Sequence, residues 1–338
     1  MTDKIKSKYG SIDGLRVIAC IGIILMHVMT NINYELNDKV FCNVINEFTN
    51  FVFLFMVISS FCLCCGYYEK IKNNIFDYKD FYKKRIIKIL PFFTFLVLLD
   101  ILIDFNMNNL IEGFADITLM FGFLQKDMQV IGVAWFIGLI FIFYFIFPFF
   151  VYLFSNKKSA IFTTLIAVLM NFSCVYYFNV SRGNMYYSFV YFCIGALLYL
   201  YKDDIIKFFS KSKFLGISII ILSIVLYFIL PFGNGFVELI KYSCVSISLL
   251  IYAISYDSIF LDNKFMKIIG SLSFEMYLCH MLIFRCVEKI GFVNVAGENF
   301  ISYLFVVVIV FCGSILFSSL FKKVVEILKK KVIKWKFY

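Results

Sequence analysis

SIDGLRVIACIGIILMHV, residues 11–28, is a largely apolar stretch that also contains Asp13, Arg16 and His27. An apolar run that continues for about twenty residues predicts a helix that crosses a membrane. Charged and titratable side chains inside a bilayer are costly, and they therefore tend to belong to functional sites. The stretch predicts a membrane helix that carries part of a candidate site.

The whole chain has the composition of a membrane protein. It contains 338 residues, of which 62% are hydrophobic and 16% are charged. Soluble domains are about half apolar and a quarter charged. The apolar runs are longer and more continuous than the ten-residue alternating strands of a membrane barrel. We therefore predict an all-α, polytopic integral membrane protein in which residues 1–338 form a single transmembrane domain.

Ten apolar runs have nearly the length needed to span a bilayer, and the first is interpreted as a retained helix rather than a cleaved signal. They cover residues 12–33, 48–67, 84–105, 133–154, 159–178, 185–201, 215–232, 236–256, 266–290 and 300–322. Segment 108–126 is less apolar and contains Glu112 and Asp116, so we interpret it as a re-entrant or interfacial piece.

Basic residues are distributed asymmetrically between the two sides of these spans. About 26 of the 32 Lys and Arg residues fall on the side of the N-terminus. Because such residues gather in cytoplasmic loops, both termini are predicted to be cytoplasmic, with tails 1–11 and 323–338. The loop at 34–47 and the segment at 106–130 then face outward. Topology explains the net charge of +10 without a nucleic-acid partner.

The 11 cysteines mostly lie within apolar runs, as in FCLCCGYY at residues 61–68. In that setting they are expected to be small buried residues rather than disulfides or zinc ligands. No metal site is therefore predicted. The basic tail KKVVEILKKKVIKWKFY is amphipathic and is expected to lie along the anionic inner leaflet.

The chain has only two histidines, His27 and His280. They lie about fifteen and thirteen residues into spans that both begin at the cytoplasmic side, which places each about 20 Å deep. Matching depth predicts a shared site, with both rings in one cavity that is reached from the cytoplasm past Arg16. The alternative is two unrelated histidines, each hydrogen-bonded to a neighbouring helix.

Arg16 and His27 lie on one face of the first helix, because eleven steps of 100° come within about 20° of three full turns. The same steps separate them by about 16 Å along the axis. Asp13, one turn before Arg16, is placed to orient it. An arginine that extends to the interface would explain Arg16 alone, but not the shared face.

A second basic group lies in FYKKRIIKILPFF, residues 81–93, at the predicted cytoplasmic start of the third span. Arg85 and Lys88 are suited to hold phosphate, and arginine does so with two parallel bonds. The alternative is the ordinary charge of a cytoplasmic loop.

The ninth span contains SLSFEMYLCH, residues 271–280. Helical spacing places Ser273, Tyr277 and His280 on one face, with Glu275 nearby. Elsewhere, Trp135 is expected in an interfacial aromatic belt. Asp100 and Asp104, near the outer end of the third span, are expected to face water.

These motifs resemble the acyltransferase 3 family of membrane O-acyltransferases, over nearly the whole chain. The family opens with an Arg and a His separated by ten residues, as in SIDGLRVIACIGIILMH. FLFMVISSFCL resembles its F-x-x-S-G-F segment with Ser60 in place of glycine, and KRIIKILP resembles R-x-x-R-I-L-P with Lys88 in place of arginine. VAWFIGLIFIFYFIFP and GSLSFEMYLCHMLI resemble the Trp-Phe span and the late S-x-x-x-Y-L-x-H segment.

The resemblance implies ten membrane helices and an acyltransferase for groups other than amino-acyl groups, located in the bacterial cell membrane. It implies transfer of an acyl group, acetyl first, from cytoplasmic acyl-CoA to a hydroxyl of a cell-surface or lipid-linked glycan. Many relatives carry a fused extracytoplasmic esterase-like domain. None is present in this sequence, so any acyl-handling partner on that side is expected to be a separate protein. Lys88 lacks the guanidinium fork, which predicts weaker phosphate contact.

The resemblance also assigns roles to the candidate residues. Arg16, Arg85 and Lys88 would hold the phosphates of acyl-CoA, and Asp13 would orient Arg16. His27 would act as general base. The remaining candidates, which would line the site from the ninth span, are His280, Tyr277 and Glu275. A transporter of glycan or acyl groups is the alternative function, and a non-catalytic sensor or assembly partner is a third.

Overall fold

The structure is a computed structural model that describes residues 9–36, 38–103, 105–123, 131–231 and 235–335. These residues form fourteen α-helices and no strand. The helices are α1 (Ser11–Asn31), α2 (Lys39–Asn46), α3 (Phe51–Lys72), α4 (Tyr78–Ile103), α5 (Met107–Ile117), α6 (Trp135–Leu153), α7 (Lys157–Tyr176), α8 (Met185–Leu200), α9 (Lys202–Phe209), α10 (Lys213–Ile229), α11 (Gly235–Ser255), α12 (Lys264–Gly270), α13 (Ser273–Lys289) and α14 (Phe300–Trp335).

The predicted all-α membrane architecture is confirmed. In the described part of the chain, seven helical segments are long and apolar enough to cross a membrane. The bent pairs α9–α10 and α12–α13 raise the number to nine if each pair is one span. Helix α8 is apolar but has only 16 residues, slightly fewer than a span usually needs. Each of the ten predicted runs coincides with one of these segments.

Segment 108–126 is represented by helix α5 and a short 3-10 helix at Met120–Phe123. Eleven residues of α-helix extend about 16 Å, roughly half of the hydrocarbon core of a bilayer. Helix α5 packs against α4 and leaves apolar side chains such as Phe114 exposed. This length fits the prediction of a re-entrant or interfacial piece. Residues 124–126 of that prediction lie outside the described residues.

Helix α1 occupies the centre of the bundle and packs against α3, α11, α12, α13 and α14. It can do so because its side chains are apolar on nearly every face. Two glycines allow the closest approaches. A methyl group at Gly14 would overlap the backbone of Leu261, and one at Gly270 would overlap Asp13. These contacts fix the start of α1 against the two ends of the α12 segment, Leu261 before it and Gly270 at its end.

A close approach also joins α3 and α8, at Ser60. Ser60, which replaces the glycine of the family motif, is completely buried. The glycine at this crossing is Gly195 on the facing helix, where a methyl group would overlap the carbonyl of Val57. The partner helix therefore supplies the small residue that close packing needs.

Helix α14 continues unbroken from the last predicted span into the basic tail, as far as Trp335. At 36 residues it extends about 54 Å, well beyond the thickness of a hydrocarbon core. The segment predicted to lie along the inner leaflet is thus the continuation of a span. The last three residues, 336–338, lie outside the described residues.

Candidate active site

A basic cavity of about 380 Å³ opens beside the start of α1, between α3, α4, α6 and α13. Its lining includes the three cations that the sequence assigned to the donor: Arg16, Arg85 and Lys88. Lys70 and Lys84 also border it. Three separate helices thus contribute positive charge to one cavity, and this concentration of charge is suited to bind phosphate groups.

Arg16 is oriented within this cavity by two partners. Its Nη1 donates to the Asp13 carboxylate at 2.6 Å, one turn earlier on the same helix. Its Nη2 donates to the Cys62 sulfur of α3 at 3.4 Å. The predicted pairing of Asp13 with Arg16 is confirmed. Since a guanidinium has five N–H groups, Arg16 keeps donors for a ligand.

Arg85 is held by aromatic side chains. Its guanidinium carbon lies 5.3 Å from the ring centres of Tyr67, Phe81 and Tyr144. Its Nη2 also donates to the Tyr67 hydroxyl at 3.1 Å. These contacts fix the plane of the guanidinium. Lys88, one turn further along α4, makes no ion pair with any described residue.

A second cavity, the histidine cavity, lies toward the other end of α1 and has a volume of about 400 Å³. It is enclosed by α1, α4, α13 and the residues that lead into α6. Its polar lining includes His27, Asn31, Asp100, Arg182, Tyr277 and Arg285. Both cavities lie on the side of α1 that faces α4 and α13, so Arg16 and His27 share a face, as predicted.

The two histidines are neighbours, with ring centres 5.1 Å apart. His280 is completely buried, and its Nδ1 lies 2.6 Å from the Tyr277 carbonyl oxygen. A carbonyl only accepts hydrogen bonds, so Nδ1 carries a proton. Nε2 has no hydrogen-bond partner among the described residues. His27 borders the histidine cavity, whereas His280 packs against the His27 ring and borders neither that cavity nor the basic cavity. The prediction that both rings line one cavity is therefore wrong, because neighbouring side chains enclose the His280 ring completely.

Three aromatic rings separate the two cavities. Phe55 and Phe136 border the basic cavity, and Tyr277 borders both. The Tyr277 ring centre lies 5.6 Å from that of Phe136 and 6.4 Å from that of Phe55. The Tyr277 hydroxyl donates to the Val133 carbonyl at 2.7 Å, which ties the ring to the start of α6. The structure therefore contains two cavities where the sequence predicted one.

The sequence that forms these two cavities matches a known protein family. A family model described as "Acyltransferase domain" matches residues 9–321, which include every residue of both cavities. The chain belongs to the acyltransferase 3 family. Comparison with curated proteins and with solved structures gave no significant match. Membership indicates acyltransferase activity in a multi-pass membrane protein, and it confirms the resemblance drawn from the motifs.

In this acyltransferase, Glu275 lies apart from the cavities where the sequence had placed it. Its carboxylate pairs with Lys322 of α14 at 3.2 Å, and it borders neither the basic nor the histidine cavity. Helical spacing alone could not separate it from Tyr277, because two residues on one helix can face different neighbours. The pair joins α13 to α14.

The charges of the histidine cavity were missed by sequence reasoning. Asp100 of α4 forms an ion pair with Arg285 of α13, although the sequence suggested that Asp100 faces water. Arg182, from the loop before α8, places its guanidinium carbon 5.3 Å from the Trp135 ring centre. The sequence contained one indication of the Asp100–Arg285 pair. A carboxylate within an apolar span needs a partner, and few cations lie on the outer side of the predicted spans. Asp104 lies outside the described residues.

Proposed function

We propose that this acyltransferase transfers an acyl group, acetyl first, from cytoplasmic acyl-CoA to a hydroxyl of a cell-surface or lipid-linked glycan. It acts in the cell membrane with both termini in the cytoplasm. The observation that carries the proposal is the placement of the basic cavity directly behind the histidine cavity, with Tyr277 bordering both. A phosphate-binding region and a candidate base thus lie at either end of one route along α1.

The donor would be bound by its phosphates in the basic cavity. Arg16 and Arg85 are fixed by their neighbours, which reduces the entropy lost when they bind a ligand. Lys88 adds a point charge. The pantetheine arm would then run along the face of α1 and cover the distance of about 16 Å between Arg16 and His27. In this route the arm displaces the Tyr277 ring.

The acceptor would occupy the histidine cavity, where His27 is half-buried and accessible. His27 takes the proton of the acceptor hydroxyl as its oxygen attacks the thioester carbonyl carbon. The carbon–sulfur bond breaks, and the sulfur leaves with the proton that His27 held. The products are an O-acyl glycan and free CoA. His280, completely buried against the His27 ring, positions that ring.

A transporter is the second candidate, and one observation favours it. Two cavities at opposite ends of a central helix, separated by a thin aromatic layer, are the arrangement that alternating access requires. The cation cluster favours the enzyme, because a carrier of neutral glycans has no need for three convergent cations at one end.

The experiment is labelled acetyl-CoA incubated with purified protein and candidate glycans. We expect His27→Ala to reduce transfer by about 10²–10⁴-fold, because a general base acts in the transition state. Its affinity for acetyl-CoA should stay within a few-fold of the wild type, which also shows that the variant is folded. Glycan movement across vesicles at an equal rate in wild type and His27→Ala, with no transfer in either, would favour the transporter.

A further inference from the structure

A third, larger cavity opens on the flank of the bundle and is called the lateral groove. It has a volume of about 1040 Å³ and lies between the 3-10 helix Met120–Phe123, α6, α7 and the start of α8. Its wall is apolar at Phe121, Phe123, Ile142 and Leu169 and polar toward the loop before α8, at Asn179, Ser181 and Asn184. Leu169 and Ile166 are 65% and 41% exposed within the candidate span Lys157–Tyr176, so in a bilayer they would contact hydrocarbon. The groove is therefore suited to a lipid chain.

The lateral groove adjoins the histidine cavity at Trp135, the residue that borders both. The loop before α8 forms the other side of the junction. Ser181 and Gly183 border the groove, whereas Arg182 between them borders the histidine cavity. The Arg182 guanidinium lies against the Trp135 ring, with 5.3 Å between its carbon and the ring centre. One cation therefore lies where the apolar groove meets the polar cavity.

Arg182 differs from the other arginine of the histidine cavity in its charge balance. Arg285 is neutralised by Asp100. Arg182 has no carboxylate within ion-pair distance in the described part of the chain. Its described side-chain contact is the ring of Trp135, which orients the guanidinium without neutralising it. A half-buried, oriented and uncompensated guanidinium is suited to bind a phosphate with two parallel hydrogen bonds.

We propose that the lateral groove binds the hydrocarbon chain of a lipid-linked acceptor and that Arg182 binds the acceptor's phosphate. This inference rests on the proposed function and defines the acceptor as a sugar carried on a membrane lipid phosphate. With the chain in the groove and the phosphate at Arg182, the attached sugar lies in the histidine cavity beside His27. An ordinary phospholipid could fill the groove, but it would present no sugar to that cavity.

Trp135 provides a direct assay, because the chain has only two tryptophans. The variant Trp335→Phe leaves Trp135 as a single fluorescent reporter at the junction. Farnesyl phosphate, added to this purified full-length protein in detergent, is expected to change the fluorescence saturably. Farnesol lacks the phosphate, and inorganic phosphate lacks the chain, so each should bind at least tenfold more weakly.

Two pairs of variants in the Trp335→Phe background test the two halves of the site. Arg182→Ala should weaken farnesyl phosphate binding by about 10- to 150-fold, the range for a lost charge-assisted bond. Lys289→Ala removes a cation that borders none of the three cavities and should have no effect. At Gly183 an added methyl meets only ordinary contacts with Trp135 and Ser181, so Gly183→Ala is tolerated. Gly183→Phe would place a ring beside Trp135, where the groove meets the histidine cavity, and should abolish binding.

Equal binding of farnesyl phosphate and farnesol, unaffected by Arg182→Ala, would overturn the proposal. Displacement of farnesyl phosphate by phosphatidylglycerol at equal affinity would also overturn it, since the groove would then hold bilayer lipid only. Transfer to a soluble methyl glycoside separates the two proposals. If transfer to the glycoside depends on His27 but lipid binding does not depend on Arg182, the lipid site alone is refuted. Lipid binding without transfer to any acceptor would refute the proposed function alone.

Discussion

The pairing of Arg16 with Asp13 leads to a prediction that donor binding will be non-additive. Arg16→Ala removes a cation from the basic cavity and leaves the Asp13 carboxylate there without its partner. The Asp13 side chain is only 10% exposed, so water screens its charge poorly. The single variant should therefore weaken acyl-CoA binding for two reasons, the lost bond and the new repulsion.

The two contributions can be separated in magnitude. A charge-assisted hydrogen bond contributes about 1.5–3 kcal/mol, or about 10- to 150-fold in affinity. A carboxylate about 6 Å from a phosphate adds a repulsion of about 3 kcal/mol at an effective dielectric constant of about 20. Together the two contributions come to about 4.5–6 kcal/mol, so we expect Arg16→Ala to weaken binding by about 10³- to 10⁴-fold. The double variant Asp13→Asn/Arg16→Ala loses only the bond and should bind more tightly than the single variant.

The assay is equilibrium binding of labelled acetyl-CoA to purified protein, at low and at high salt. Lys207→Ala, which removes an exposed cation outside the three cavities, is the matched control and should bind like the wild type. High salt should weaken acetyl-CoA binding in every variant, because it screens the exposed cations, but the difference between the single and double variants should persist, because Asp13 is only 10% exposed. Wild-type affinity in Arg16→Ala, or equal losses in the single and double variants, would refute the role of this pair in donor binding.

Three further predictions follow from other parts of the molecule. Lys88→Arg supplies a guanidinium fork at the basic cavity, so acetyl-CoA should bind several-fold more tightly in the same assay; weaker binding would contradict a phosphate contact there. Tyr277→Phe removes the hydroxyl that donates to the Val133 carbonyl and should lower the free energy of unfolding by about 0.5–1.5 kcal/mol in detergent denaturation; unchanged stability would show that water replaces the hydroxyl. Cys42 should react with a membrane-impermeant maleimide in intact cells, and Cys42→Ser should remove that labelling. If a cysteine introduced by Lys330→Cys reacts from outside instead, the predicted cytoplasmic location of the C-terminus is wrong.

The sequence determined the class of fold and the identity of the first-helix residues. Uninterrupted apolar runs mark membrane helices because a lipid-exposed backbone must satisfy its own hydrogen bonds, which leaves few structures to choose from. Helical periodicity is equally local. It placed Asp13 one turn from Arg16 and put Arg16 and His27 on one face, and the structure confirms both. The motif order then pointed to the family that the comparison shows.

Only the tertiary structure decided how the site is divided. The separation into a basic and a histidine cavity depends on Phe55, Phe136 and Tyr277, which come from three helices distant in sequence. The pair of Asp100 with Arg285 spans 185 positions of the chain. The periodicity of a single helix cannot predict contacts between residues so far apart in sequence, because the packing of helices against each other determines those contacts.

Helix packing also explains why sequence reasoning misplaced Glu275 and overlooked Arg182. Local spacing placed Glu275 with Tyr277, but its contact with α14 turns it toward Lys322. Arg182 lies in a loop, where the sequence has no periodicity to predict its position. Only the fold places it against Trp135, between the lateral groove and the histidine cavity. Sequence fixes which residues each helix presents along its own surface, whereas packing decides which of them share a cavity, since that depends on the position of the neighbouring helices.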